Sequence, residues 1–559
     1  MNKPHNDLSA DALAMTHEVL NQTPPLENYN AWQGDTALRE AVTRHGGGWA
    51  ASDISAYGDK TGSAQVIEWG FLANHHKPEF FPHDRYGHRI DLVRFHPAYH
   101  ELMAMALREG IHASPWSKPQ AGAHVVRAAK SYLQAQVEAG HGCPLTMTFA
   151  AVPTLKLTPA VADQWLPKVL ARDYDPRNVS HQDKAAVTLG MGMTEKQGGS
   201  DVRANTSTAR PVAASGPGEL YELVGHKWFM SAPMCDAFLM LAQAPGGLSC
   251  FLVPRWRPDG SKNPLQVQRL KNKMGNVSNA SSEVEMRNAL GWMVGEEGRG
   301  VRAIIEMVSL TRFDCMVGSM AGQRQAVAQA VHHARHRSAF GNTLIDQPLM
   351  QNVLADLQLE VEGAMAMTMR MAQALDSVDS EQEALLMRLG TAVGKYWICK
   401  RSPNHAYEAM ECLGGNGVTE DFIMARLYRE APINAIWEGS GNVQALDVLR
   451  ALAKTPAVLE VWFAELAKGM GVLPQLDRAI NGLKQAFSDL SDIEYRARQL
   501  VESLALTMQG SLLVQAGNAA VAEAFVSSRL GEHTERNYGT LPRGLDLKTL
   551  LQRADPLHQ

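Results

Sequence analysis

Apolar residues recur every three to four positions through the first third of the chain, the spacing that buries one face of a helix. Residues 36–43 make a short amphipathic stretch, 97–108 carry Leu102, Met103 and Met105, and 120–139 repeat Val125, Ala128 and Leu133. Pro153 and Pro159 are expected to divide the apolar stretch 151–170 into short pieces, because proline lacks the N–H that a helix interior needs. Before residue 30 the Asn- and Pro-containing segment reads as an irregular arm.

Near Ala185 the period falls to two. Runs at 185–192, 202–208, 220–224, 237–242, 248–253 and 265–270 are separated by Gly, Pro, Asn and Asp. They predict an antiparallel sheet domain of about 100 residues with its edge near Gly291. Gly295-Glu-Glu-Gly-Arg-Gly300 then turns the chain back into helix.

Long helical patterns follow over 301–337 and 381–413, where Pro403 is expected to kink or split the helix. Between them a helix is expected to start at Asp346 as N-cap, with Pro348 in its first turn. Such helices joined by tight turns predict an antiparallel bundle. Met365, Met367, Met369 and Met371 read as core or subunit interface, since flexible thioethers fill irregular gaps. A four-helix bundle has no need of residues 451–559, which are helical at 458–470 and 493–527. The patterning therefore predicts an α+β chain in four parts. These are an N-terminal arm and helical domain (1–184), an antiparallel β domain (185–292), a helical bundle (293–450) and an additional helical domain (451–559).

Composition narrows the class. A chain of 559 residues is too long for one ordinary core, and 45% apolar against 20% charged residues excludes a disordered or fibrous protein. A formal charge of −5 makes no global case for nucleic acid. The opening Met1-Asn-Lys-Pro-His-Asn-Asp-Leu8 lacks the basic-then-apolar order of a secretory signal, and no apolar run reaches the length of a membrane span. Cys143, Cys235, Cys250, Cys315, Cys399 and Cys412 stand far apart, which fits reduced thiols in a cytoplasmic protein. His332 and His336 are one turn apart without an acidic or thiol neighbour, so a solvated helix face is expected there and no metal site.

The candidate chemistry centres on Glu438, held between Ile436 and Trp437 on one side and Gly439, Ser440 and Gly441 on the other. Desolvation by such a flank raises a carboxyl pKa and makes a proton acceptor near neutrality. Alone, the same residue can equally cap a helix opening at Asn442. A second feature, Met191-Gly-Met-Thr-Glu-Lys-Gln-Gly-Gly-Ser-Asp-Val202, is a backbone-exposing loop with short hydroxyl donors, without the spacing of a dinucleotide fingerprint or P-loop.

Taken together, Met191 to Val202, Gly225-His-Lys-Trp-Phe-Met-Ser231, Arg337-Ser-Ala-Phe-Gly341, Gly414-Gly-Asn-Gly-Val418 and Ile436-Trp-Glu-Gly-Ser440 resemble the signatures of the acyl-CoA dehydrogenase family. Cys143-Pro-Leu-Thr-Met-Thr-Phe-Ala150 and the extra C-terminal segment resemble its adaptive-response, alkylation-inducible subgroup, whose members bind DNA. The resemblance implies FAD as cofactor, an acyl-CoA substrate and Glu438 as the base that removes its α proton. It implies Arg312 as the residue that tunes Glu438 or anchors an acyl group, with a helix-pairing salt bridge as the plainer alternative.

For the cofactor it implies Met191, Met193, Thr194, Gly199 and Ser200 from the loop, and Phe229, Met230 and Ser231 from the following strand. Phe229 is preferred over Trp228 there, because one residue along a strand changes face. Arg337, Phe340 and Gln347 would reach a neighbouring subunit's FAD, Gly414 and Gly415 its adenosine part, and Ser440 and Asn442 would face it near the base. Lys196 departs from the family, which usually has proline there. A site shared in this way implies a homo-oligomer, expected as a tetramer, with no membrane partner. Duplex DNA is the further partner implied by the subgroup, although from Ala451 onward 11 Lys and Arg face 12 Asp and Glu, a net of −1, where duplex binding needs a basic face.

Overall fold

The computed structural model describes residues 16–377, 379–532 and 537–558; the opening octapeptide and the tail cation Arg536 lie outside them. The N-terminal part holds α1 (Thr36–Arg44), α2 (Ala51–Thr61), α3 (Ala64–His75), a hairpin of β1 (Glu79–His83) and β2 (Arg89–Arg94), then α4 (Pro97–Arg108), α5 (Ser114–Ser117), α6 (Ala123–Val137), α7 (Gly142–Lys156) and α8 (Pro159–Val169). Asp35 caps α1 by accepting the Leu38 N–H at 3.0 Å, and Ala37, Leu38, Ala41 and Val42 turn to the core. Pro159 opens α8, but Pro153 stays inside α7. The N–H that Pro153 lacks would have reached the Phe149 carbonyl; the Trp116 indole donates to that oxygen instead, at 3.0 Å, so no acceptor is orphaned. The hairpin, unforeseen in the pattern, is pinned to the β region by Arg89 donating to the Val267 carbonyl at 2.5 Å and by Lys262 paired with Asp91 at 2.8 Å.

The β region comprises β3 (Leu189–Gly192), β4 (Thr208–Pro211), β5 (Leu220–Met230), β6 (Ala237–Ala244), β7 (Gly247–Pro254), β8 (Leu265–Leu270) and β9 (Ser282–Val294). The strand order is β3-β6-β4-β5-β9-β7, with β8 on β9 and β7 returning to pair with β6, so the sheet closes on itself. Most pairs are antiparallel, but β3 and β4 meet β6 in parallel. The run expected at 202–208 is a single turn, Val202–Ala204, and the strand begins only at Thr208. The longest strand, β9, pairs with β5, β7 and β8 and left no clean alternation in the sequence. Its buried residues include Val284 and Met286 before Asn288 and Ala289, Gly291 and Met293 after it. Asn288 sits at φ 61° where the register with β5 slips, and such a bulge inverts the parity of every later side chain.

The bundle is built from α9 (Gly300–His336), a small hairpin of β10 (Ser338–Ala339) and β11 (Asn342–Thr343), α10 (Pro348–Asp376), α11 (Glu381–Cys412), α12 (Ile423–Glu430), α13 (Ile433–Ile436) and α14 (Gly441–Lys454). The N-cap of α10 is Gln347, with Asp346 one residue back in a short turn. α11 runs unbroken through Pro403, because it packs against α9, α10, α14 and α17 (Ile493–Ala516), burial that outweighs a proline cost of about 3 kcal/mol. Met365, Met367, Met369 and Met371 of α10 are all buried and belong to the core.

The tail adds α15 (Ala457–Ala467), α16 (Pro474–Ser488), α17, α18 (Ala519–Arg529) and α19 (Leu547–Ala554) and shares one continuous apolar cluster with the rest. Several of its cations point inward: Arg529 pairs with Asp356 at 2.5 Å, and Arg553 forks between Glu362 at 2.6 Å and Glu40 at 2.8 Å. This is the α+β arrangement that the patterning predicts, with a helical N-terminal part, a central β region, a bundle and added helices.

Candidate active site

Glu438 stands in the turn between α13 and α14, at φ 58°, a left-handed conformation costly for a residue with a Cβ. The backbone is held there by three side chains. Arg312 Nε of α9 donates to the Glu438 carbonyl at 2.8 Å, Lys395 Nζ of α11 to the Gly439 carbonyl at 2.7 Å, and Gln444 Nε2 of α14 to both, at 3.1 and 2.9 Å. Of the carboxylate, Oε2 accepts from the Thr311 hydroxyl at 2.9 Å, while Oε1 has no hydrogen-bond partner among the described residues. Burial raises the Glu438 pKa above the ordinary glutamate range, opposed by the Thr311 bond and by the Lys395 and Arg312 charges.

Two expectations change here. The carboxylate does not cap α14, whose N-cap is Ser440 without any side-chain bond. Nor does Ile436 supply the apolar cover, being 64% exposed; the desolvation comes from tertiary neighbours. Arg312 has no free fork for an acyl group, since besides the Glu438 carbonyl it pairs with Asp447 at 2.9 Å, which also takes Arg388 at 2.8 Å. It braces the turn, and its charge works against the burial that raises the Glu438 pKa.

The loop after β3 folds close upon itself. A Cβ on Gly199 would lie 2.5 Å from the Thr194 hydroxyl, so a larger residue there would displace the Thr194 side chain. Asn205 Nδ2 donates to the Met193 carbonyl at 3.0 Å and the Trp228 N–H to the Thr194 carbonyl at 2.8 Å. Met191 is half-buried and Ser200 exposed. Inside the loop Glu195, fully buried, pairs with Lys227 at 2.9 Å and holds the Thr206 N–H at 2.7 Å, an internal anchor that sequence reading passed over.

On β5, Phe229 is 48% exposed while Met230 faces the core; Ser231 shares a bond with Ser281 at 3.1 Å. The simple alternation between Trp228 and Phe229 fails, because the register with β9 shifts between Lys227 and Met230. Lys271 Nζ accordingly lies near both rings, 3.2 Å from the centroid of Trp228 and 4.5 Å from that of Phe229. Lys196 is 5.6 Å from the Trp228 ring, outside the tight part of the loop.

The segment after α9 projects from the subunit. Phe340 is 98% exposed at φ 54°, Gln347 braces the hairpin by donating to the Ala339 carbonyl at 3.0 Å, and Arg337 donates to the Asn21 carbonyl at 2.5 Å. Asn21 also bonds both the N–H and the carbonyl of Ser338, at 2.8 and 2.9 Å, so the irregular arm serves as a clamp. Gly414 and Gly415 are exposed, with open space where a Cβ would be, and Ser440 and Asn442 are exposed beside the base. His332 corrects an expectation: it is buried, with Nε2 2.9 Å from the Pro24 carbonyl.

The structure thus joins Glu438 and Arg312 directly, and the Met193 loop to β5, while Phe340 and the glycine pair face outward and Arg337 is held by the arm. Sequence reading missed Thr311, Lys395, Gln444 and Asp447. Thr311 adjoins a residue already singled out, whereas Lys395 lies on a different helix and carries no local signal. Cys143, read from the sequence as a reduced thiol and as the start of the subgroup string, has its thiol beside the Ser231 hydroxyl and within reach of the Glu438 charge, its pKa pushed up to about 11 chiefly by burial.

The matched families agree with this architecture. Residues 21–176 match the N-terminal domain of the adaptive response protein AidB, 190–289 the acyl-CoA dehydrogenase middle domain and 298–453 the acyl-CoA dehydrogenase C-terminal domain. The chain belongs to the acyl-CoA dehydrogenase family. Its place there is in the adaptive-response branch: it is 45% identical over 512 residues to the "Putative acyl-CoA dehydrogenase AidB" of Escherichia coli, covering 91% of this chain and 94% of that one. The structure of Caenorhabditis elegans ACDH-11 in complex with C11-CoA superposes with a TM-score of 0.84 at 25% identity, over 95% of this chain and 96% of that one. An acyl-CoA dehydrogenase complexed with FAD from Bacillus anthracis shares the fold, with a TM-score of 0.65 at 18% identity over 90% of this chain and 85% of that one. Among the described residues no helix is long and apolar enough to cross a membrane.

Proposed function

We propose that the chain is an FAD-dependent acyl-CoA dehydrogenase-like flavoprotein in which Glu438 takes the α proton of an acyl-CoA thioester. The observation that carries this reading is the state of Glu438: a carboxylate of raised pKa with one oxygen unengaged, on a strained turn fixed from three helices. A general base needs both the raised affinity for a proton and the free lone pair. The Glu438 N–H makes no hydrogen bond among the described residues and is available to a thioester oxygen as negative charge develops on it.

The residues present suit the flavin that the family uses. Phe229 offers an exposed ring, Ser231 a hydroxyl, the Met191, Met193, Thr194, Gly199 and Ser200 loop its backbone and hydroxyl donors, and Met230 only its backbone. FAD, when bound, would supply the acceptor for the β hydride. Phe340 stands off the subunit, and Arg337, though it donates to the Asn21 carbonyl, carries a guanidinium that matches a pyrophosphate; with Gln347, Gly414 and Gly415 they would meet a second copy's FAD, supporting a homo-oligomer, a tetramer in our reading, while Ser440 and Asn442 would face the cofactor near Glu438. The test is the visible spectrum of the purified protein before and after anaerobic addition of a panel of acyl-CoAs. Bleaching near the flavin maximum is the expected result. A colourless protein that takes up no FAD on reconstitution overturns the reading, and R337A should lower flavin content and loosen the oligomer together.

The adaptive-response match supports a second reading, a DNA-associated protective flavoprotein with weak dehydrogenase activity. The inward pairing of Arg529 and Arg553 removes two cations from any phosphate-facing surface of the tail. Gel-shift titration at two salt concentrations decides: affinity that falls steeply with salt supports this reading, and absent binding at moderate ionic strength removes it.

A further inference from the structure

Away from Glu438, a half-open cavity of about 360 Å³ lies where α1, α10, α11, α15 and α17 meet. Every major helical part of the chain contributes a wall, a setting in which small-molecule sites are common. Its inner wall is a closed set of charges. Arg370 donates to both oxygens of Glu383, at 2.7 and 2.9 Å, and to both oxygens of Glu465, at 3.1 Å each. Lys468 adds a bond to Glu465 at 2.7 Å. Two cations thus answer two carboxylates, and this wall is electrically balanced.

Arg44, at the rim, has no carboxylate of its own. It makes no salt bridge among the described residues, and its guanidinium makes one long bond, 3.3 Å to the Ala516 carbonyl. The nearby Glu40 is already taken by Arg553, at 3.1 and 2.8 Å. Partial desolvation weighs against the Arg44 cation, the Glu40 charge favours it, and the Arg553 charge opposes it in turn. Beside it His45 is 7% exposed; its Nδ1 meets the Gln373 amide at 2.9 Å and its Nε2 has no partner among the described residues. Burial holds His45 neutral, its pKa pushed down to about 4. Because the Gln373 amide can present either its oxygen or its NH2 group, the free Nε2 can serve as acceptor or donor.

We propose that this cavity is a binding site for a small organic monocarboxylate, its carboxylate on Arg44 and His45 and its short apolar chain over Ala366 and Leu512. A monoanion matches Arg44, the one cation of the lining that makes no salt bridge among the described residues, while Glu383 and Glu465 are already held by Arg370 and Lys468. A phosphate dianion would leave one negative charge unpaired beside Glu383 and Glu465 in a partly desolvated site, and an organic cation would meet the surplus charge of Arg44.

The full-length holoprotein would be titrated calorimetrically with hexanoate, inorganic phosphate and hexylamine, with the visible spectrum followed in parallel. Saturable binding of one hexanoate per chain without spectral change, at least tenfold tighter than phosphate or hexylamine, is expected. R44Q should lose at least tenfold in hexanoate affinity, whereas R44K should stay within about threefold; Arg44 is exposed at the end of α1, where substitutions rarely disturb folding. Absence of saturable hexanoate binding, tightest binding by phosphate, or equal affinity in R44Q and wild type each overturns the proposal. A hexanoate signal that perturbs the spectrum and survives R44Q belongs to another site and overturns it as well.

Discussion

Glu430 and Glu438 flank the short helix α13, and burial raises the pKa of both. They differ in what their oxygens do. Both oxygens of Glu430 accept the Asn276 N–H, at 2.7 and 2.8 Å, which ties the loop before β9 to the end of α12. Glu438 spends one oxygen on Thr311 and keeps the other free. Raised basicity alone therefore does not mark a base: Glu430 is pushed up to about 7 by burial and by the neighbouring Glu138, against the Asn276 bond and the Arg426 and Lys273 charges, yet its lone pairs hold backbone. A buried carboxylate with committed oxygens is a clamp, and one with an open oxygen can take a proton.

The strongest way to break that contrast is to neutralise each group in turn. E438Q keeps size and the Thr311 bond but removes the proton acceptor. Flavin content should stay near wild type while acyl-CoA-dependent bleaching slows by about two orders of magnitude or more, the usual scale for a positioned base. E430Q should bleach within about threefold of wild type, on the footing that a substrate has been found. Equal rates for E438Q and wild type would exchange the two roles or remove Glu438 from the chemistry.

Stability offers the next largest effect, with a defined sign. A glutamate whose folded pKa lies above its unfolded value holds a proton in the native state that the unfolded chain releases, so its contribution is full below pH 4.5 and is lost as pH rises toward 7. For Glu430 this loss is about 2 kcal/mol after discounting its partial exposure. The unfolding free energy of wild type minus that of E430Q, from urea titrations, should therefore fall between pH 4.5 and 7; a flat difference would show that Glu430 is ionised throughout.

Local patterns made much of this molecule legible. The helical runs of α4 and α6 and the strands β6 and β7 follow from spacing and turn residues, and the family resemblance rested on contiguous strings that survive without a contact map. The elements that escaped depend on long-range partners. β9 hides its alternation behind the Asn288 bulge, and Pro153 is tolerated only because Trp116 reaches the abandoned carbonyl. Around Glu438, Lys395 and Gln444 serve through backbone carbonyls, a role that leaves no compositional trace. The apolar flank read from Ile436 does not account for the raised pKa of Glu438, since Ile436 is exposed and α13 packs on α9 and α11.

The smallest predicted effect sharpens the contrast most finely, because it concerns the one oxygen that Glu438 has committed. The Thr311 hydroxyl donates to Oε2 and favours the ionised carboxylate, so T311V, nearly isosteric, should raise the Glu438 pKa further. Less of the base would then be ionised at a given pH, and the acid limb of the pH profile for flavin bleaching should move to higher pH. A bond of this kind is worth about 1 kcal/mol, or about a fivefold lower rate on that limb. Above the shifted pKa the carboxylate is ionised in both proteins, and the rates should converge. A role for Thr311 confined to packing α9 against the turn would instead lower the rate by the same factor at every pH. A uniform loss would therefore show that the hydroxyl sets no proton affinity and would take Thr311 out of the tuning of the base.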